Sequence, residues 1–350
     1  MKTLRLERLL SRSTHIKESE EDKMSDIIPK IDTELFPLEE YGEKDSKTVQ
    51  YRSYMSSPFI AASLPLKDVK KNTFTREYNN ISLTLTSDTK VPYGKNGRLL
   101  LSILTTHAVL KKNKPGEPVV LEYNTLQNLL DELQLPKQRG KEIKEQLECY
   151  AGSTFVFKER RTTKVTSGYL FDEINDGNLQ GTVTATMHNT GVIPFLELMQ
   201  YIDLEDERQN KKCIGIRIIL SDKFTRLSQE HAVPINYTVY KNIGSVVGKD
   251  LYTWFVYRNN SIKDGEPLFI SRKALVDQFM PLKGDDKGGY ESEERVNWNY
   301  LKEQIKIIKE KHYPDLQVVI SGDNDGITFF KSKPVIEGSE SRYMLVTSVI

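Results

Sequence analysis

One stretch constrains this chain more than any other: Val91-Pro92-Tyr93-Gly94-Lys95-Asn96-Gly97-Arg98-Leu99-Leu100-Leu101-Ser102-Ile103-Leu104-Thr105-Thr106-His107-Ala108-Val109. Its glycines and Asn96 predict a turn that supplies an N-cap, after which Leu100, Ile103, Leu104 and Ala108 recur at i, i+3, i+4 and i+8. Leu99, Leu101, Val109 and Leu110 add apolar surface on the remaining faces. A helix apolar on nearly every side must be enclosed, so the fold has to be built around it. Lys111 and Lys112 suit its negative end, and Asn113-Lys114-Pro115-Gly116 breaks it. His107 lies on the apolar side, where a satisfied core histidine is a simpler reading than a catalytic one.

The elements around that helix recur. Ile81, Leu83 and Leu85 alternate with polar residues and predict a half-buried strand leading into it. After it, 118–123 reads as a strand, and Asn124 can cap a helix with Leu126, Leu129, Leu130 and Leu133 on one face, stopped by Pro136. A third helix, 138–150, buries Ile143, Leu147 and Tyr150. A hairpin follows, with strands 154–158 and 165–171 and a basic tip at 159–164; residues 172–212 read as an insertion without a defined role. Further on, a strand at 214–220 precedes a helix containing Asp250 to Arg258. Next come a strand at 267–270, a helix capped by Ser271, a long helix from Arg295 to His312, and a hairpin turned at 322–326. Helix, strand, helix, helix and hairpin thus appear twice, which predicts an α+β chain of two tandem winged helix-turn-helix domains. The expected division is a mobile segment over 1–55, a first domain over 56–200, a second over 201–337 and a tail over 338–350.

With 350 residues, 38% of them hydrophobic and 28% charged, the chain has an ordinary globular composition and enough length for two cores. No run approaches the ~20 apolar residues that span a bilayer, and Met1-Lys2-Thr3-Leu4-Arg5 has no secretory h-region, so a cytoplasmic protein without membrane association is expected. Cys149 and Cys213 belong to no metal-binding spacing and are expected as free thiols, and no cofactor is expected. The net charge is only +1, but it is uneven: residues 1–50 hold 9 Lys/Arg against 12 Asp/Glu, while residues 91–170 hold 13 against 8. Positive charge gathers where a phosphate backbone would lie.

Pro92-Tyr93-Gly94, the basic residue after it, the leucine-rich run and the ending Thr106-His107-Ala108-Val109 together resemble the plasmid replication initiators of the RepA C-terminal, TrfA-like family. Ala232-Val233-Pro234-Ile235 and Asp250-Leu251-Tyr252-Thr253-Trp254-Phe255-Val256-Tyr257-Arg258 look like that family's second block, so the resemblance spans roughly residues 50–335. It implies paired winged helices that bind repeated double-stranded origin sequences (iterons) and recruit the host initiator and the replicative helicase. It also implies exchange between a repressing homodimer and an initiating monomer, for which edge pairing at Ile81–Leu85 offers an interface. Where the family has a glycine-rich lead into the third helix, this chain has Pro136-Lys137-Gln138-Arg139-Gly140, which leaves that helix's start open. Leu35-Phe36 faintly resembles a sliding-clamp peptide, although a tail folding back on the body explains it more simply.

The candidate DNA-binding residues follow from these placements. Gln138, Arg139 and Lys141 are expected at base edges, because arginine pairs with guanine and glutamine with adenine through two hydrogen bonds each. Lys137, Lys144, Lys158, Arg160, Arg161 and Lys164 are expected at phosphates. In the long second-domain helix, Trp298, Leu301, Ile305, Ile308 and His312 form an apolar stripe, with Arg295, Asn299, Lys302, Lys306 and Lys309 alongside it. Tyr252, Trp254, Phe255 and Tyr257 could stack on single-stranded bases but at helical spacing read as core.

Enzymatic readings find little. No GxxxxGK[ST] phosphate loop occurs, and the five histidines never approach within 43 residues of one another, unlike the paired metal ligands of a nicking initiator. A non-enzymatic initiator is expected. A winged-helix transcriptional repressor and a protein-docking module remain alternatives.

Overall fold

The computed structural model describes residues 52–78, 81–110, 117–166, 182–205, 211–281 and 290–336, and the side chains of 78, 159–191, 203–214 and 290–291 fall outside that description. It is a mixed α/β structure of helices and small antiparallel sheets. The clamp-like Leu35-Phe36 and the tail from 338 lie outside the described residues.

Two segments open with the same device, a strand running into a short helix: β1 (Arg52–Ser56) into α1 (Ser57–Ala61), and β9 (Ala232–Asn236) into α6 (Tyr237–Asn242). These equivalent strands pair with each other, antiparallel. Ser56 and Asn236 occupy matching N-cap positions, so the register is symmetric about Tyr54↔Pro234, with Ser53↔Ile235 and Met55↔Val233 exchanging places. Residues 52–55, expected in a mobile segment, are therefore half of the ribbon that joins the two parts of the chain.

The buried helix is α2 (Gly94–Leu110), with Leu99, Leu100, Leu101, Ile103, Leu104 and Ala108 enclosed. It begins at Gly94, so Asn96 sits inside its first turn and is not its cap. Strand β4 (Val120–Tyr123) leads to α3 (Leu126–Glu132), whose first turn is capped by Thr125 rather than by Asn124, the hydroxyl accepting from Asn128 N at 3.2 Å. A 3₁₀ turn over Lys137–Arg139 then runs into α4 (Gly140–Ala151). Gly140 lets α4 start close against α3, since a Cβ there would stand 3.0 Å from Leu126 Cδ2.

The hairpin was misplaced by the sequence reading. Strand β5 (Ser153–Thr166) is unbroken and pairs from Thr154 onward with β6 (Thr182–Pro194), so residues 159–164 lie within a strand and not at a hairpin tip. This long hairpin extends β2 (Thr73–Tyr78) and β3 (Ile81–Ser87) into a sheet ordered β2-β3-β5-β6. Because β3 is flanked on both sides, Ile81–Leu85 offers no free edge for pairing with a second copy. The hairpin that returns to β4 is β7 (Leu196–Glu205) with β8 (Lys211–Leu220), in the order β4-β8-β7. The supposed insertion thus holds the missing strands, and a boundary between residues 200 and 201 cuts through β7.

After β9 and α6, α5 (Asp222–Glu230) having preceded them, the order repeats: α7 (Val246–Asn259), β10 (Leu268–Ser271), α8 (Arg272–Phe279), α9 (Tyr290–Ile307, ending in a π-helical turn Ile308–His312), β11 (Val318–Ile320) and β12 (Gly326–Phe329). Ser271 caps α8 through Ala274 N at 3.2 Å. Its sheet is ordered β10-β12-β11, the same first-third-second order as β4-β8-β7. The repetition reaches single residues. Gly97 of α2 faces the buried Gln146 of α4, with a built Cβ 2.9 Å from its Oε1, and Gly248 of α7 faces the buried Gln304 of α9 at 3.0 Å. Next to these glycines stand two buried basic side chains, Arg98 and Lys249. Each donates to two backbone carbonyls outside its own helix, Arg98 to Leu64 and Pro65, far back in the chain, and Lys249 to Tyr240 and Lys241, just ahead of α7.

One continuous apolar core runs through both repeats and includes Trp254, Phe255 and Tyr252, which are therefore packing residues, with Tyr257 half-buried against them. His107 is held at 2.6 Å by Glu132, which also accepts from Tyr123 Oη at 2.6 Å. Cys149 is a buried free thiol that burial pushes up to about 11, so it is chemically quiet.

Candidate nucleic-acid interface

The third helix of each repeat is set by the same logic: a buried apolar stripe fixes which side faces out. In α4, Ile143, Leu147 and Tyr150 are enclosed, and Tyr150 Oη donates to Gly97 O at 2.6 Å. Lys137, Gln138, Arg139 and Lys141 are left exposed at its N-terminal end. The α-helix starts at Gly140, so the first three sit in the 3₁₀ turn ahead of it.

These four are not equally available. Arg139 Nη1 lies 2.8 Å from both carboxylate oxygens of Glu142, and Glu142 Oε2 also accepts from Asn96 Nδ2 at 2.6 Å. Lys144 is turned sideways, its Nζ 3.8 Å from the Tyr201 ring centre in β7, and Tyr201 Oη donates to Glu148 at 3.2 Å. Glu145 is bound by Lys90 Nζ at 2.9 Å and by Tyr93 Oη at 3.2 Å. The Lys90 hydrogen bond, foremost, holds the Glu145 carboxyl below its usual value, so it stays ionised within this surface.

In α9 the predicted apolar stripe is enclosed at Trp298, Leu301, Ile305 and Ile308, with His312 half-buried. Arg295, Asn299, Lys306 and Lys309 are exposed and Lys302 half-buried. Lys302 Nζ reaches Asn324 Oδ1 in the β11–β12 turn at 3.0 Å, and Lys309 Nζ reaches Val318 O at 3.0 Å. These two lysines therefore brace the hairpin, as Lys144 braces β7 in the first repeat. Aligned on Gln146 and Gln304, Lys144 and Lys302 occupy equivalent positions.

The same alignment shows a difference. Gly140, the first residue of α4, matches Trp298, so α9 continues for about two further turns toward its N-terminus. On that extension Val296 is 63% exposed, and Tyr300 beyond it is also exposed with its hydroxyl 2.9 Å from Ser245 Oγ. Neither residue belongs to the basic stripe predicted from sequence. The signal for them was present, since Val296 interrupts the polar side of an amphipathic helix.

The remaining candidates divide. Lys158 is exposed on β5; Arg160, Arg161 and Lys164 lie in β5 with side chains outside the described residues, in mid-strand rather than at a tip. An open groove of about 930 Å³ runs between β10, the start of α8 and the start of α9, lined by Phe269, Arg272, Glu294, Arg295 and Asp325 among others. Arg272 Nε and Glu294 Oε1 close part of it at 2.8 Å. Among the described residues no group of three or more His, Cys, Asp or Glu side chains is placed to hold a metal ion, and no helix is long and apolar enough to cross a membrane. Cations on outward helix faces can hold phosphates and present donors to base edges.

No protein-family model and no curated protein sequence matches the chain. Two solved structures are similar to it. One is RctB domains 2–3, with a TM-score of 0.44, 12% identity, and coverage of 78% of this chain and 95% of that one. Another is the Pi initiator protein in complex with iteron DNA, with a TM-score of 0.40, 12% identity, and coverage of 81% of this chain and 96% of that one.

Proposed function

We propose that this chain is a plasmid replication initiator that binds repeated double-stranded origin DNA through two winged-helix units and acts without chemistry of its own. One observation carries the duplex-binding part: a helix, strand, helix, helix and hairpin arrangement with strand order first-third-second occurs twice, and both times the third helix turns cations and amides outward. In helix-turn-helix proteins that helix enters the major groove, with the hairpin resting on the backbone. The β1–β9 ribbon, symmetric about Tyr54 and Pro234, suits two such helices addressing successive grooves of one duplex. The initiator part rests on the sequence resemblance to the RepA C-terminal, TrfA-like family; recruitment of host initiator and helicase belongs to that resemblance.

In this reading Gln138, Lys141, Arg295 and Asn299 approach base edges, and Lys137, Lys158 and Lys306 approach phosphates. Arg139 joins the base-reading set once DNA displaces Glu142, an exchange of one exposed ion pair that costs little. A mobility shift on duplex repeats flanking the gene tests binding, with a shift on the repeats and not on scrambled duplex as the expected result. Deleting the gene from its replicon then separates an initiator, whose loss ends maintenance, from a repressor, whose loss does not.

A further inference from the structure

We propose that Val296, on the N-terminal extension of α9, and Asn299, just past it at the position equivalent to Lys141, form a patch that reads adjacent T·A base pairs, with Val296 against a thymine methyl and Asn299 on the neighbouring adenine. This rests on the duplex-binding reading above. Three residues apart on one helix, the two side chains share a face with about 5–6 Å between their Cβ atoms.

The chemistry of each is specific. Val296 is 63% exposed and nothing among the described residues covers it; its neighbours three and four positions away along the helix are Ser292, Glu293, Asn299 and the exposed Tyr300. An isopropyl group has no hydrogen bond to offer, and the apolar feature presented in a major groove is the C5-methyl of thymine. Asn299 is exposed, and a free amide pairs with adenine N6 and N7 through two hydrogen bonds. Arg295 and Lys306 lie beyond Asn299 on the outward side and supply charge complementary to phosphates, while the exposed Glu303 stands on the face between Asn299 and Val296. The position also fits, because helix-turn-helix proteins touch bases with the early turns of the third helix; Val296 lies in the turns that α4 lacks, and Asn299 in the first turn that the two helices share.

The test uses the full-length protein to select duplexes from a randomised pool, then replaces each thymine of the best duplex with uracil, which lacks only the methyl. One replacement should weaken binding roughly fourfold, the transfer free energy of one methyl group. Val296→Ala should bind thymine and uracil duplexes alike, while Asn299→Ala should lose roughly 5- to 150-fold of discrimination at the adjacent pair. The proposal is overturned if no uracil replacement matters, if Val296→Ala keeps the uracil penalty, or if Val296→Ala changes only the protein's oligomeric mass, which would make the face a protein contact. A pool that yields no enriched duplex would instead remove the duplex-binding reading itself.

Discussion

Arg98 and Asp250 join the two repeats through a buried, two-point ion pair, with Nε to Oδ1 at 2.6 Å and Nη2 to Oδ2 at 2.7 Å. The partners are 152 residues apart and lie on α2 and α7, the equivalent core helices. Arg98 also donates to the carbonyls of Leu64, Pro65 and Gly94, so its remaining donors are used. Arg98→Met would strand a buried carboxylate and three acceptors, and should cost about 3–5 kcal/mol. Arg98→Met combined with Asp250→Leu should recover part of that loss, because no uncompensated charge remains. Urea unfolding of the two variants checks this; a loss below ~1 kcal/mol for the single change would contradict it.

Lys249 makes stability depend on pH. Burial, reinforced by the nearby positive charges of Lys95 and Arg98 and opposed by Asp250, lowers its pKa from 10.5 to about 7. Between those values the unfolded chain binds a proton that the folded protein does not, so stability rises with pH across that window and the penalty is fully present below it. Wild-type protein should be more resistant to urea at pH 9 than at pH 7. Lys249→Met, which cannot titrate, should lack that difference even though the carbonyls of Tyr240 and Lys241 lose their donor.

Glu142 restrains the DNA-facing end of α4. Glu142→Gln removes the partner that holds Arg139 at 2.8 Å and deletes a negative charge from the surface. Binding to duplex of any sequence should tighten, as read by fluorescence anisotropy at fixed salt. Unchanged or weaker binding would place Arg139 outside the interface.

Lys306 and Lys302 separate two roles for cations on one helix. Lys306 is exposed on the outward side, whereas Lys302 is bound to Asn324. Lys306→Ala should reduce the slope of log K against log salt by about one, for specific and random duplex alike. Lys302→Ala should act through the hairpin instead, lowering thermal stability while leaving most of that slope.

The repeat architecture was legible in the sequence because helices declare themselves by periodicity and caps: Leu129, Leu130 and Leu133, or Ser271 with Leu275 and Phe279, fall on one face and are buried where expected. The hairpin of the first repeat was not. Strand β7 has register shifts at Leu196/Leu198 and at Ile202/Asp203, and each irregularity moves the apolar residues out of strict alternation. The conspicuous basic run at 159–164 drew attention to β5 instead. Pairing between distant segments was also hidden: nothing local in Arg52–Ser56 indicates β9 as its partner, and nothing near Arg98 points to Asp250. At the interface, charge pattern identified which residues face out, but not that Arg139, Lys144, Lys302 and Lys309 would be engaged by neighbours.

The most direct test of two third helices on one duplex is a hydroxyl-radical footprint on a selected duplex, taken with wild type and two variants. Wild type should protect two blocks about one helical turn apart, roughly 10 base pairs. Lys137→Ala with Lys141→Ala should erase one block and Arg295→Ala with Lys306→Ala the other. A single protected block, or a pattern that neither pair of substitutions alters, would contradict the account.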